Sequence, residues 1–77
     1  MKTRRMLAGN AGMLWMGDTS AVLWSFGSPA LRLGAKAEVE TLDPAPRRIS
    51  HDGTLRAQPN CVYRIRTASP AAIIQEP

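Results

Sequence analysis

The chain is poor in the residues that build cross-links and metal centres. Among its 77 residues there is one cysteine, Cys61, and one histidine, His51. A single cysteine excludes an intrachain disulfide, and this pair is too few soft ligands for a zinc cluster. A chain of this length buries only about 60 per cent of its unfolded surface, so its core is marginal. The remaining source of stability is association with another chain or with a template such as nucleic acid.

Catalytic motifs are also missing. A nucleophilic cysteine needs a base within hydrogen-bond reach and a group that orients this base. His51 and Asp52 are expected in a tight turn, and Cys61 on the buried face of a strand, where a thiol behaves as a small hydrophobe. No phosphate-binding glycine loop, nucleophile elbow or dinucleotide fingerprint occurs. The sequence therefore predicts no enzymatic activity, with no catalytic residue, cofactor or metal ion.

The apolar stretch of residues 6–26 imitates a signal peptide or a membrane span. Asn10, Asp18 and three glycines interrupt it. An aspartate at the centre of a membrane helix costs about 2.5–3.5 kcal/mol, which nearly cancels the gain from the apolar residues. A membrane partner is therefore not expected. A soluble protein inside a cell or on a particle is favoured over a secreted or membrane protein.

What the sequence does contain is strand periodicity. One parity of residues 31–41 is apolar and the other is charged, and side chains alternate between faces along a strand. The apolar members of this stretch are Leu31, Leu33, Ala35, Ala37 and Val39. The pattern predicts one long strand with a dry face and a wet face, and Gly34 marks a bulge or bend within it.

Two further apolar runs, 13–16 and 21–26, flank a polar turn and are typical of a β-hairpin. Pairing Met16 with Ala21 separates the side chains into two sets. One face carries Met13, Trp15, Val22, Trp24 and Phe26, and the other carries Leu14, Met16, Ala21 and Leu23. Both faces are apolar, although a surface hairpin normally has one polar face. The alternative for residues 19–26 is a helix with Asp18 as its N-cap.

The rest of the chain reads as turns and one more strand. Residues 50–53 contain an Asp-Gly pair between Ile49 and Leu55, which favours a second hairpin, and residues 61–67 alternate again. The sequence therefore predicts an all-β protein, a small antiparallel sheet or partly open barrel of about five strands with extended termini. Residues 13–67 form its single domain, 1–12 an N-terminal arm and 68–77 a C-terminal tail.

The net charge is +4, and eight of the ten basic residues are arginine. The arginines that could share one face are Arg47, Arg48, Arg56, Arg64 and Arg66. Such a face could bind nucleic acid if exposed aromatic rings accompanied it. Tyr63 points away from Arg64, however, and both tryptophans are expected in the hairpin core. Pairing of these arginines with Glu38, Glu40 or an acidic neighbour is the preferred interpretation.

The leading hypothesis is a non-enzymatic structural or interaction protein that acts as a subunit of a larger assembly. An accessory protein of a virus particle is one example of such a subunit. Tryptophan, methionine, phenylalanine and arginine are enriched at protein contacts. The expected interface residues are Met13, Trp15, Met16, Trp24 and Phe26. A partner protein or a second copy would cover them. A nucleic-acid-binding β module is the alternative, and a small inhibitor that docks a sheet edge on a host enzyme is a weaker one.

Overall fold

The computed structural model describes residues 3–34 and 36–77, and its all-β architecture confirms the predicted fold class. The strands of this part of the chain are β1 (Thr3–Met6), β2 (Gly12–Met16), β3 (Ser20–Ser25), β4 (Ala30–Arg32), β5 (Glu38–Asp43), β6 (Arg47–Ile49), β7 (Thr54–Arg56), β8 (Cys61–Arg66) and β9 (Ile74–Gln75). They form a six-stranded sheet, in the order β1-β2-β3-β8-β5-β6, and a three-stranded sheet, β7-β4-β9. All of these pairs are antiparallel.

The hairpin of β2 and β3 has the predicted register. Met16 pairs with Ala21, Trp15 with Val22 and Met13 with Trp24, so the helical alternative for residues 19–26 is wrong. β1 pairs with β2 along its whole length. The first described residues are therefore part of the large sheet instead of the extended arm that the sequence suggested.

A single core lies between the two sheets. Its buried apolar residues are Leu7, Leu14, Ala21, Leu23, Leu31, Leu33, Ala37, Val39, Leu55, Ala57, Tyr63, Ile65 and Ile73. Both sheets contribute to this set, because the inward parity of each strand is apolar. The Oη atom of Tyr63 accepts a hydrogen bond of 2.7 Å from the backbone N–H of Gln58, and burial raises the pKa of this phenol above its ordinary value.

The prediction of one long strand over 31–41 is wrong. The chain leaves the small sheet after β4, turns through Lys36 at a φ of +66°, and enters the large sheet as β5. The apolar parity is nevertheless buried at each described position, Leu31, Leu33, Ala37 and Val39, while Ala35 lies outside the described residues. Because β4 and β5 face the same core, the apolar side chains keep one parity across both strands. The sequence pattern therefore does not reveal that the chain passes from one sheet to the other.

The second predicted hairpin is also wrong, although its turn exists. Gly53 has a φ of +96°, a conformation that glycine adopts without steric cost. The strands on either side, β6 and β7, belong to different sheets. His51 holds this connection: its Nε2 lies 2.8 Å from the carbonyl oxygen of Ala37, and its Nδ1 accepts a bond of 3.1 Å from the N–H of Gly53. These partners require the tautomer with its proton on Nε2.

Residues 68–77 are not a free tail. Pro70 and Ile73 are buried, and β9 pairs with β4. The guanidinium of Arg5 donates to the carbonyl oxygen of Ile73 at 2.6 Å. The backbone N–H of Ala8 donates to the side chain of Gln75 at 2.7 Å, and the Gln75 amide donates back to the Ala8 carbonyl at 3.3 Å. Both ends of the described chain are thus fastened to each other.

Candidate interaction surface

The side of the six-stranded sheet that points away from the core is called the outer face below. Because side chains alternate along each strand, the pairing register determines which residues are neighbours on it. One row crosses all six strands in the order Arg4, Trp15, Val22, Arg64, Glu40, Arg48. A second row lies two residues further along each strand, on the same face. It runs Met6, Met13, Trp24, Val62. Apart from Arg4 on β1 and Val62 on β8, the outer face is therefore apolar over β1–β3 and charged over β8, β5 and β6.

The apolar half forms a continuous patch, called the apolar patch below, of Met6, Met13, Trp15, Trp24 and Phe26. Met6, Trp15, Trp24 and Phe26 are 53, 36, 48 and 45 per cent exposed. An aromatic side chain carries about 150–250 Å² of surface, so the three rings together leave roughly 300 Å² in contact with solvent. A patch of this size on a small protein is often functional.

Arg4 borders the apolar patch on its edge-strand side. Its guanidinium carbon lies 5.5 Å from the centre of a Trp15 ring, which is within the range of a cation–π contact. The charged guanidinium therefore lies over the face of the ring. A positive charge is thereby held at the outer edge of the patch.

The charged half of the outer face is organised round Glu40. Its carboxylate lies 3.1 Å from Nη1 of Arg64 and 3.9 Å from Nη2 of Arg66. Together with Glu38 and Arg48 these residues line a shallow cavity of about 110 Å³. Exposed pairs of this kind contribute about 0–1 kcal/mol each. The preferred interpretation of Arg64 and Arg66, pairing with a glutamate on the neighbouring strand, therefore matches the geometry.

The five predicted arginines do not share one face. Arg48, Arg64 and Arg66 lie on the outer face. Arg47 and Arg56 line an open groove of about 610 Å³, between β6 and β7, whose other walls include Cys61 and Tyr63 and to which Arg48 also contributes. Arg56 is separated because β7 joins the small sheet. Arg47 is separated because it alternates with Arg48 along β6 and shares the parity of Thr41 and Tyr63.

Two residues change places relative to the expected interface. Met16 lies on the inner parity of β2 and packs against the core, so it is not part of the apolar patch. Met6 belongs to the patch instead, because β1 adds a strand beside β2 and Met6 pairs with Met13. The signal for Met6 was weak, since the glycines and Asn10 after it suggest an irregular arm.

The residues considered for cysteine or metal chemistry have structural partners. Both ring nitrogens of His51 have backbone partners, and the Cys61 thiol donates to the carbonyl oxygen of Pro59 at 3.5 Å. Within residues 3–34 and 36–77, no group of three or more His, Cys, Asp or Glu side chains is placed to hold a metal ion.

No helix in the described part of the chain is long and apolar enough to cross a membrane. Comparison of the chain with protein-family models, with curated proteins and with solved structures finds no match. The arrangement of side chains on the outer face is the basis of the function proposed below.

Proposed function

We propose that this chain is a non-enzymatic subunit of a larger assembly and that it self-associates through the apolar patch. The observation that carries the proposal is the exposure of Trp15, Trp24 and Phe26 on a hairpin whose opposite face already fills the core. Leu14 and Leu23 of the same two strands are fully buried. The chain therefore does not need these rings to build its own core, and their exposure is explained by a contact with another molecule.

The composition of the outer face supports a protein contact. Interfaces are rich in aromatic residues, methionine and arginine, and they surround an apolar centre with a polar rim. The apolar patch has this arrangement, because Arg4 borders it on one side and the Glu40 cluster on the other. Burying the patch would also add apolar contact to a chain whose own core is small.

We expect the wild-type chain to have a mass well above that of one chain, 8.4 kDa, when light scattering is measured at both low and high salt. Association should persist at high salt because apolar burial is not screened. Trp24→Ala should lower the mass to that of one chain.

Ile74→Ala is the matched control for this prediction. Ile74 is also exposed, but it lies on β9 of the small sheet, so its replacement should leave the mass unchanged. A wild-type chain that is a well-folded monomer at both salt concentrations contradicts the proposed function.

A nucleic-acid-binding β module is the second candidate, and one observation favours it. Trp15 and Trp24 are exposed on the same face as Arg64 and Arg66, which is the combination of stacking rings and positive charge that single-strand binders use. The Glu40 carboxylate weighs against it, since it neutralises these arginines and would repel phosphate. Met6 and Met13, whose side chains offer no aromatic face for stacking, are also the cross-strand neighbours next to Trp24.

For this second candidate we expect binding of a single-stranded oligonucleotide, followed by tryptophan fluorescence, to weaken steeply with salt through counterion release. The double variant Arg64→Ala with Arg66→Ala should lose most of that affinity. Arg47→Ala, which removes a charge from the groove instead of the outer face, is the control. Unchanged binding after loss of both arginines excludes the outer face as a nucleic-acid site.

A further inference from the structure

We infer that the occupant of the apolar patch is a second copy of this chain, packed face to face about a twofold axis that runs along β3. This inference rests on the proposed function and adds its geometry. A twofold contact requires a surface that is complementary to itself. The row from Arg4 to Glu40 has this property, because Arg4 and Glu40, which carry opposite charges, exchange places when the row is reversed about Val22.

The strand order places β3 at the centre of this contact. The sheet has two strands, β1 and β2, on one side of β3 and three, β8, β5 and β6, on the other, so β6 extends beyond the contact. Neighbouring strands are about 4.8 Å apart, so β1 and β5 lie at equal distances from the axis. Rotation about β3 therefore sets β2 of one copy over β8 of the other, and β1 over β5.

The charged ends of the row then meet opposite charges. Arg4 on β1 lies over Glu40 on β5 of the second copy, and the reverse contact forms by symmetry. Packed sheets are about 10 Å apart, a distance that an arginine and a glutamate side chain can span together. Twisted sheets cross at about 30°, and the length and flexibility of the arginine side chain accommodate the resulting offset.

The centre of the row and the neighbouring row supply the apolar contact. Val22 and Trp24 lie near the axis and meet their own counterparts, and Met13 lies over Val62 of the second copy. Trp15 lies over Arg64 of the second copy, which is a cation–π geometry. The largest rings are thus buried at the middle of the interface, where the strongest contacts usually occur.

Charge disfavours the two neighbouring positions of the axis. An axis between β3 and β8 would set Arg4 over Arg48 of the second copy and Trp15 over Glu40. An axis between β2 and β3 would set Arg4 over Arg64 of the second copy. Like charges facing one another across an interface disfavour a pairing. Among these positions, only the axis along β3 sets Arg4 opposite Glu40, while Arg48 on β6 lies beyond β1 of the second copy.

The test uses two single variants, R4E and E40R, measured separately and mixed. In each variant alone, two like-charge contacts replace the two Arg4–Glu40 contacts, so the dissociation constant should rise by about ten-fold or more. In the mixture, each contact between an R4E chain and an E40R chain again joins opposite charges. Sedimentation equilibrium should therefore detect a heterodimer of near wild-type affinity. The double variant R4E/E40Q, which removes the repulsion without a charge reversal at position 40, should recover part of the association that R4E loses.

The outcomes separate this inference from the proposed function. If R4E and E40R associate as the wild type does, while Trp24→Ala is monomeric, the twofold arrangement is overturned and the apolar patch remains the interface. If E40R does not fold, as judged by circular dichroism, R4E and R4E/E40Q decide the question: equal affinities overturn the arrangement and a recovery supports it. A wild-type chain that stays monomeric, with or without a single-stranded oligonucleotide, overturns both.

Discussion

Leu23→Ala should lower the free energy of unfolding by about 2–5 kcal/mol, whereas Trp24→Ala at the next position should change it by at most about 1 kcal/mol. Leu23 is fully buried between the sheets, and Trp24 is half exposed on the outer face. The larger side chain should therefore matter less for folding. Urea denaturation at a dilution where both variants have the mass of one chain measures the difference without a contribution from association.

The same two variants should differ in the opposite sense in their association. Trp24→Ala removes the centre of the apolar patch, while Leu23→Ala leaves the outer face intact as long as the chain is folded. Equal losses of folding stability in the two variants would mean that Trp24 is part of the core, and that the outer face has been assigned to the wrong side of the hairpin.

Gly12→Ala should lower the free energy of unfolding by about 1–3 kcal/mol or more, because this position has no room for a side chain. A Cβ atom added at Gly12 would lie 2.6 Å from the backbone carbonyl oxygen of Trp24. That oxygen is part of the β2–β3 pairing, so the two strands would have to separate. The change would disturb the core and the apolar patch together, since the same β2–β3 pairing positions Leu14 and Leu23 on one face and Met13 and Trp24 on the other.

Gly27→Ala is the matched control for Gly12→Ala, and thermal and urea unfolding of the two variants measure the difference. Gly27 lies beside Ala11 at the same end of the hairpin, and a Cβ atom there would be 3.7 Å from the nearest atom, an ordinary contact distance. Its replacement should be neutral or stabilising by about 0.4–1 kcal/mol, since alanine restricts the unfolded chain. Similar effects of the two substitutions would contradict the close approach of β2 and β3.

Short-range patterns predicted the local structure well where neighbouring residues pair. The hairpin register followed from two apolar runs and a polar turn, since one pairing aligns both parities. The failures lie in longer-range features. The alternation over 31–41 correctly identified buried positions but could not show that the chain changes sheets after Arg32, because both sheets share one core. Residues 68–77 show no alternation, so no pattern predicted β9 or the burial of Ile73.

The candidate surface was predicted in part for the same reason. Alternation placed Trp15 and Trp24 on one face, yet it could not determine which face of an apolar hairpin would be covered. That choice depends on the small sheet, which packs on the Leu14 and Leu23 side of the large sheet. The separation of Arg56 from Arg64 likewise depends on which sheet each strand joins, and this is a property of the whole topology. Arg47 is separated from Arg64 by the alternation of side chains along β6.

The pairing of β3 with β8 has a consequence for the time course of folding. Ser20 pairs with Arg66, and Ser25 with Cys61, so the central contact of the large sheet closes a long loop. Contacts between residues this distant in sequence slow folding, and all-β domains rich in them fold in about milliseconds to seconds. During that interval the β2–β3 hairpin can form alone with both of its apolar faces in water. Refolding should therefore compete with aggregation, and yield should rise when the chain is diluted quickly and kept at low concentration.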